Sequence, residues 1–283
     1  MPLRSTPALT GRRVLITGAA RGIGAALAER LHERGATVAL AGLEPDLLAD
    51  VADRVGAPWW SCDVTDRAQV DAAVSGAVSA LGGLDVVVAN AGIAAQLPLV
   101  GGDPAVFERI MDVNVVGAYN TLRAAGPHIS HPAGYAVAVS SLGAAVHMPL
   151  MGAYSASKAA VEALGNTLRA ELAPTGAKVG VAYFAELDTD MTTRGFSTEA
   201  AKRFLGGRTI TKVTPLSVGL DALERGIARR SRFICAPAWA GAVLPIRMLA
   251  QPVMDRAFRG RVAGAREVAR AESVELTTPQ PVS

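Results

Sequence analysis

Tyr154 and Lys158 stand four residues apart in the run Tyr154-Ser155-Ala156-Ser157-Lys158. On a helix that spacing puts both side chains on one face, where an ammonium beside a phenol favours phenolate and lowers a pKa that is otherwise ~10. A tyrosine tuned in this way can pass a proton to or from an alkoxide near neutral pH. The pair is common by chance and also fits an ordinary surface helix. Ser141, upstream at the end of an expected strand, supplies a hydroxyl that could share one substrate oxygen with Tyr154.

A different chemistry is written into Thr17-Gly18-Ala19-Ala20-Arg21-Gly22-Ile23-Gly24. Gly18 permits a tight turn, Gly22 lets backbone N–H groups approach a pyrophosphate, and Gly24 lets a helix pack close to a strand. The positive end of the following helix favours an anion. A glycine-rich turn alone would be a weak signal; an apolar strand before it and a helix after it strengthen the nucleotide reading.

The elements that must position these groups alternate. Strands are expected at 14–17, 37–41, 59–62, 84–89, 135–140, 179–183 and 232–235. Helices are expected at 22–34, 45–55, 66–81, 104–125, 153–172, 198–205 and 216–229. Continuous apolar strands such as Val86-Val87-Val88 suit a parallel sheet covered on both faces, so the fold class is α/β with crossover helices. The stretch 184–214 is looser, as binding loops often are. No linker divides the first 236 residues, which points to one domain, 11–237, with an extension over 238–283.

Taken together, these motifs resemble the short-chain dehydrogenase/reductase family over about Gly11 to Pro237. The family pattern TGxxxGxG matches Thr17–Gly24, and its NAG motif matches Asn90-Ala91-Gly92. Its central asparagine matches Asn114, its serine Ser141, and its YxxxK pair Tyr154 and Lys158. The resemblance implies a Rossmann-type, doubly wound parallel sheet. It also implies a cofactor site built from Gly18, Arg21, Gly22, Ile23, Gly24, Asp63, Val64, Asn90, Gly92, Tyr154, Lys158 and Thr189, with Asp63-Val64 at the adenine and Thr189 at the nicotinamide amide. Catalysis would fall to Asn114, Ser141, Tyr154 and Lys158: Tyr154 as acid/base, Ser141 orienting the substrate oxygen, Lys158 holding the ribose, and Asn114 anchoring a water in a proton relay. Such enzymes commonly form homotetramers or homodimers through the two long helices, here 104–125 and 153–172.

The sequence departs from the family twice. Where Pro-Gly is usual after the sixth strand it has Phe184-Ala185, followed by Glu186, expected as a solvated loop carboxylate. The second strand ends Ala41-Gly42-Leu43-Glu44, without the aspartate that accepts from an NAD ribose. Gly42 leaves room for a phosphate that Arg21 could pair with, unless Glu44 points inward, so the cofactor is NADP or NAD with a lean to NADP.

Composition excludes other classes. The net charge is +3, and the 24 arginines and 4 lysines are scattered, so no nucleic-acid partner is expected. Cys62, Cys235 and the histidines lack metal-ligand spacing, and no metal is expected. With no signal-like or membrane-spanning run, the expected location is the cytoplasm.

The segments expected to line the cleft carry Ile93, Leu97, Val146, Met148, Leu150, Met151, Phe196 and Phe204 with few charges. An apolar small-molecule substrate follows, a steroid-, terpenoid-, retinoid- or lipid-like alcohol or ketone. A non-catalytic dinucleotide-binding redox sensor is the alternative. In the extension, apolar residues between Trp239 and Phe258 alternate with Arg247, Arg256, Arg259 and Arg261. The expected reading is a helix packed on its own domain or a neighbouring subunit; peripheral membrane contact and a cover over the substrate cleft are the alternatives. The tail from Thr277 is expected to be disordered.

Overall fold

Apolar runs with no polar alternation must be covered on both faces, and Val86–Ala89 and Tyr135–Val139 are buried throughout, whereas the edge run Trp59–Ser61 is not. A computed structural model describes residues 9–195, 198–206, 212–272 and 276–277. Seven strands, β1 (Arg13–Thr17), β2 (Thr37–Gly42), β3 (Trp59–Ser61), β4 (Val86–Ala89), β5 (Tyr135–Val139), β6 (Lys178–Phe184) and β7 (Phe233–Ala236), form one sheet in the order β3-β2-β1-β4-β5-β6-β7. Every pairing is parallel. Chain direction across the sheet reverses between β1 and β4, and it is outside the carboxyl ends of strands at such a switch that ligands bind in open α/β sheets.

Helices α1 (Gly22–Glu33) and α2 (Pro45–Val55) cover one face through Leu27, Leu31, Leu48 and Val51. On the other face lie α3 (Arg67–Leu81), α4 (Pro104–Met111), α5 (Gly117–Ile129) and α6 (Gly152–Leu172), which bury Val74, Ile110, Leu122 and Val161. The single helix expected over 104–125 is instead interrupted by a π-helical turn, Asp112–Val116. A Cβ on Gly117 would lie 2.5 Å from the Val64 side chain, so the chain is pressed against the loop after β3 here. The widened turn carries Asn114, and π-turns of this kind are frequent at functional sites.

The loose stretch after β6 holds two short helices, α7 (Asp190–Gly195) and α8 (Glu199–Leu205). The Thr198 hydroxyl caps α8 by accepting from the Ala201 amide at 3.0 Å. Helix α9 (Leu216–Arg229) then returns to the first face through Leu223 and Ile227.

The extension forms α10 (Ala240–Val243), α11 (Arg247–Phe258) and α12 (Val262–Ala271). Helices α11 and α12 build a third apolar cluster with the loop after β5 and with α8, joining Leu150, Phe204, Leu205, Phe258, Ala265 and Ala269. The Phe204 and Phe258 rings lie 4.7 Å apart, and the Glu272 carboxylate accepts from the Glu199 and Ala200 amides. The tail expected to be disordered from Thr277 needs correcting at its first residue. Thr277 is buried, its amide donating to the Ala94 carbonyl and its hydroxyl accepting from the Ala94 amide. That two-way bond to a buried backbone holds it; residues 278–283 lie outside those described.

Candidate active site

The turn after β1 opens straight into α1. Gly18 and Gly22 have positive φ, +65° and +56°, and a Cβ on Gly24 would lie 2.2 Å from the Gly18 carbonyl oxygen. Helices α3 and α4 are capped by Asp66 and Asp103, but α1 has no side-chain cap and no acidic residue in its first turn. Its first N–H groups are therefore donors without a side-chain acceptor, at the end that favours an anion. A cleft of about 190 Å³ runs past them, lined by Gly18, Arg21, Gly22, Ile23, Asp63, Val64, Asn90, Gly92, Ile93, Ser141, Tyr154, Lys158 and Thr189. Gly24 lies beneath it and packs helix against turn.

Each lining group is held. The Asn90 amide donates to the Thr17 and Gly18 carbonyls, fixing the glycine turn from β4. Asp63 accepts from the Thr65 amide and hydroxyl at 2.9 and 2.8 Å and pairs with Arg109 at 3.1 Å. Burial pushes the Asp63 carboxyl upward, but these bonds outweigh it and keep it below the ordinary range. Burial drives the Cys62 thiol, beside the same cleft, up to about 12, so it stays protonated.

Ser141 follows β5 and caps the short turn Leu142–Ala144 by accepting from the Gly143 amide at 3.0 Å. Its hydroxyl donates to the Phe184 carbonyl at 3.3 Å and lines the cleft beside the Tyr154 phenol. Lys158 is buried one helical turn on, donates to the Val139 carbonyl at 3.0 Å, and lies 5.7 Å from the centre of the Tyr154 ring. The Asn114 amide accepts from the Ile93 amide and donates to the Ile93 carbonyl and the Ser157 hydroxyl.

The expected lowering of the Tyr154 pKa is corrected by this geometry. Burial raises the phenol, and the neighbouring Ser141 hydroxyl offsets that only in part. The Lys158 ammonium points at Val139 and is itself lowered to about 8 by burial. Tyr154 is thus held toward its neutral, protonated form.

A second cavity, of about 520 Å³, meets the first at Ser141 and Tyr154. Of the apolar residues expected around the cleft, Val146, Met148 and Met151 line it. Ile93 lines the first cleft, whereas Leu97, Leu150 and Phe204 are buried in the core clusters. Phe196 lies outside the described residues. Much of the remaining wall comes from the extension, through Trp239, Val243, Ile246, Leu249, Val253 and Met254. The apolar face of that segment is legible in sequence, and in the structure it lines the cavity. Thr277 at the first cleft carried no sequence signal.

A family model described as short chain dehydrogenase matches residues 12–200. The chain belongs to the short-chain dehydrogenase family. It is 36% identical over 202 residues to a glycine betaine reductase of Emericella nidulans, covering 69% of this chain and 16% of that protein, a single portion of a much longer polypeptide. An oxidoreductase of Staphylococcus aureus (strain MRSA252) is 34% identical over 188 residues, 65% of this chain and 81% of the relative. Among solved structures, a short chain dehydrogenase from Burkholderia cenocepacia J2315 in complex with NADP superposes with a TM-score of 0.73 at 28% identity, covering 83% and 99% of the two chains. One from Mycobacterium paratuberculosis bound to NAD gives 0.70 at 29% identity, covering 81% and 97%. As a short-chain dehydrogenase the chain is an oxidoreductase that uses NAD(P).

Against that family the two departures take physical form. With Phe184-Ala185 in place of Pro-Gly the backbone stays extended: the Ala185 amide donates to the Ala236 carbonyl, and Leu187 bridges to Thr214. Glu186 is not the solvated carboxylate expected. It is partly buried and lines the apolar cavity. At the other end of the site Glu44 does turn into the cleft, where it forms a two-pronged ion pair with Arg21; Asp190 lies 3.7 Å from the same guanidinium. Arg21, which could pair with a phosphate, is thus already paired with a carboxylate in this structure.

Proposed function

We propose that this short-chain dehydrogenase interconverts a secondary alcohol and a ketone on an apolar substrate, and that its preferred cofactor is NAD. The observation that carries the reading is that the nucleotide cleft and the apolar cavity share Ser141 and Tyr154. A carbonyl oxygen at that junction would meet two hydroxyl donors, with an apolar body in a cavity of the volume that small-ligand sites have.

When bound, the nicotinamide supplies or accepts the hydride. The rest falls to the chain. Ser141, fixed by Gly143, orients the substrate oxygen, and neutral Tyr154 gives its proton to that oxygen in reduction or recovers it in oxidation. Lys158, held from Val139, is placed to bind the ribose and to resupply the proton. Asn114 holds Ile93 and Ser157 in register and offers an acceptor for the relay water. The α1 N-terminus takes the pyrophosphate, Asp63 and Val64 flank the adenine, Thr189 holds the carboxamide, and Glu44 accepts from the ribose 2′-hydroxyl. The exposed apolar side chains of α4 and its continuation, Phe107, Val116 and Tyr119, fit burial in a homodimer or homotetramer, which light scattering would read.

The deciding experiment is turnover of a panel of steroid-, terpenoid-, retinoid- and fatty-acyl-derived alcohols and ketones against small polar and phosphorylated ones, with both cofactors. Higher kcat/KM on the apolar set is expected. Cofactor binding without turnover on any member would leave a redox sensor instead.

A further inference from the structure

The wall of the apolar cavity continues onto the protein surface. Leu249 and Val253 line the cavity and are also 74% and 68% exposed, and Met248 beside them is 83% exposed. Ile246 and Trp239, also lining residues, are half exposed. One outward face of α11 is therefore apolar where the cavity opens.

That face is held rigidly. On the inner side of α11, Phe258 packs on Phe204, Arg247 pairs with Glu162 at 3.0 Å, and Gln251 exchanges two hydrogen bonds with the His147 backbone. Helical spacing puts Arg256 on the outward face with Val253 and Leu249, and exposed Arg259 and Arg261 follow it. The nearby acid, Asp255, accepts from Gln251. An apolar strip bordered by arginines matches the acyl boundary and phosphates of an anionic bilayer, since arginine stems can lie along apolar surface while their heads reach phosphate. A two-fold contact with a second copy would instead bring the same arginines against one another. Among the described residues no helix is long and apolar enough to cross a membrane, so contact through this face would be peripheral.

We propose that the outward face of α11 docks on an anionic lipid surface with the cavity opening toward it, so that apolar substrate passes from bilayer to active site without crossing water. The delivery step rests on the apolar-substrate reading above; the docking step does not. Met248 and Arg256 line neither cavity and serve as the test positions.

Full-length protein would be sedimented with phosphatidylglycerol-containing vesicles and with pure phosphatidylcholine vesicles. Wild type should pellet with the anionic set, less so at high salt, and Met248→Glu and Arg256→Glu should each lower the partition by roughly tenfold. Both variants should keep wild-type turnover on a short, water-soluble ketone. Wild type remaining in the supernatant with both vesicle types would overturn the proposal. So would a Met248→Glu variant that pellets like wild type but halves the mass seen by light scattering, which would make the face a contact between copies. Vesicle binding without turnover on any alcohol or ketone would remove the catalytic reading and leave the docking surface standing.

Discussion

Lys158 lies 5.7 Å from the centre of the Tyr154 ring, with its ammonium bonded to the Val139 carbonyl rather than to the phenol. On the proposed reading this pair supplies a proton and binds the ribose around a neutral tyrosine. Burial raises the tyrosine and lowers the lysine, so both favour their uncharged forms.

Tyr154→Phe removes the shared hydroxyl at the junction of the cavities and little else. Turnover should fall by ~10²–10⁴, the usual reach of general acid catalysis, while cofactor affinity measured by fluorescence titration stays close to wild type. More than a tenth of wild-type kcat remaining would remove Tyr154 from its role.

The Lys158 pKa, lowered from 10.5 to about 8, links activity and stability to pH in opposite senses. Reductive kcat/KM should decline as pH rises through about 8, where Lys158 loses its charge. Stability behaves otherwise, because between about 8 and 10.5 the unfolded chain binds the proton that the folded chain has released. The cost of burying the ammonium is thus in full force below pH 8 and fades toward 10.5. Relative to Lys158→Met, wild type should gain stability over that window by up to about 3 kcal/mol. Urea unfolding midpoints of both proteins at pH 7 and pH 10 would show it, and a constant gap would refute it.

Glu44 pairs with Arg21 at the edge of the cleft, where the proposed reading places the ribose. Glu44→Gln should free the guanidinium and shift the NADP-to-NAD affinity ratio toward NADP by about tenfold, the scale of one charge-assisted hydrogen bond. Titration of both cofactors into both proteins reads this directly. A wild type that already prefers NADP, with no change in the variant, would show that Arg21 does not meet the ribose.

Two glycines of one motif should fail differently when changed to alanine. A Cβ on Gly24 would lie 2.2 Å from the Gly18 oxygen and 2.7 Å from Asn90 Nδ2, whereas one on Gly22 meets nothing within 4 Å. Gly24→Ala should lower the thermal midpoint markedly. Gly22→Ala should cost about 1–2 kcal/mol for its positive φ yet lose most cofactor affinity, because its open side faces the cleft. Equal thermal losses in the two would contradict the division between packing and ligand approach.

The sequence by itself determined the α/β alternation, the glycine turn between β1 and α1, and the order of Asn90, Asn114, Ser141, Tyr154 and Lys158. These are legible because they depend on local periodicity and short spacings: Val86-Val87-Val88, a short β-branched run, suits a doubly covered strand, and Gly18, Gly22 and Gly24 act within one turn. Tertiary structure alone decided which way charges face and what closes the cavity. The break at Asp112–Val116 sits where Gly117 meets Val64, a residue more than fifty positions away in sequence. The inward turn of Glu44, the burial that raises Tyr154, the place of Glu186 in the apolar wall and the capture of Thr277 by Ala94 depend on neighbours distant in sequence. The amphipathic pattern of α11 was plain in its residues, but periodicity fixes only that a face is apolar. Which surface that face meets is set by packing between elements, and here its inner side closes on Phe204 while the other borders the cavity and the solvent.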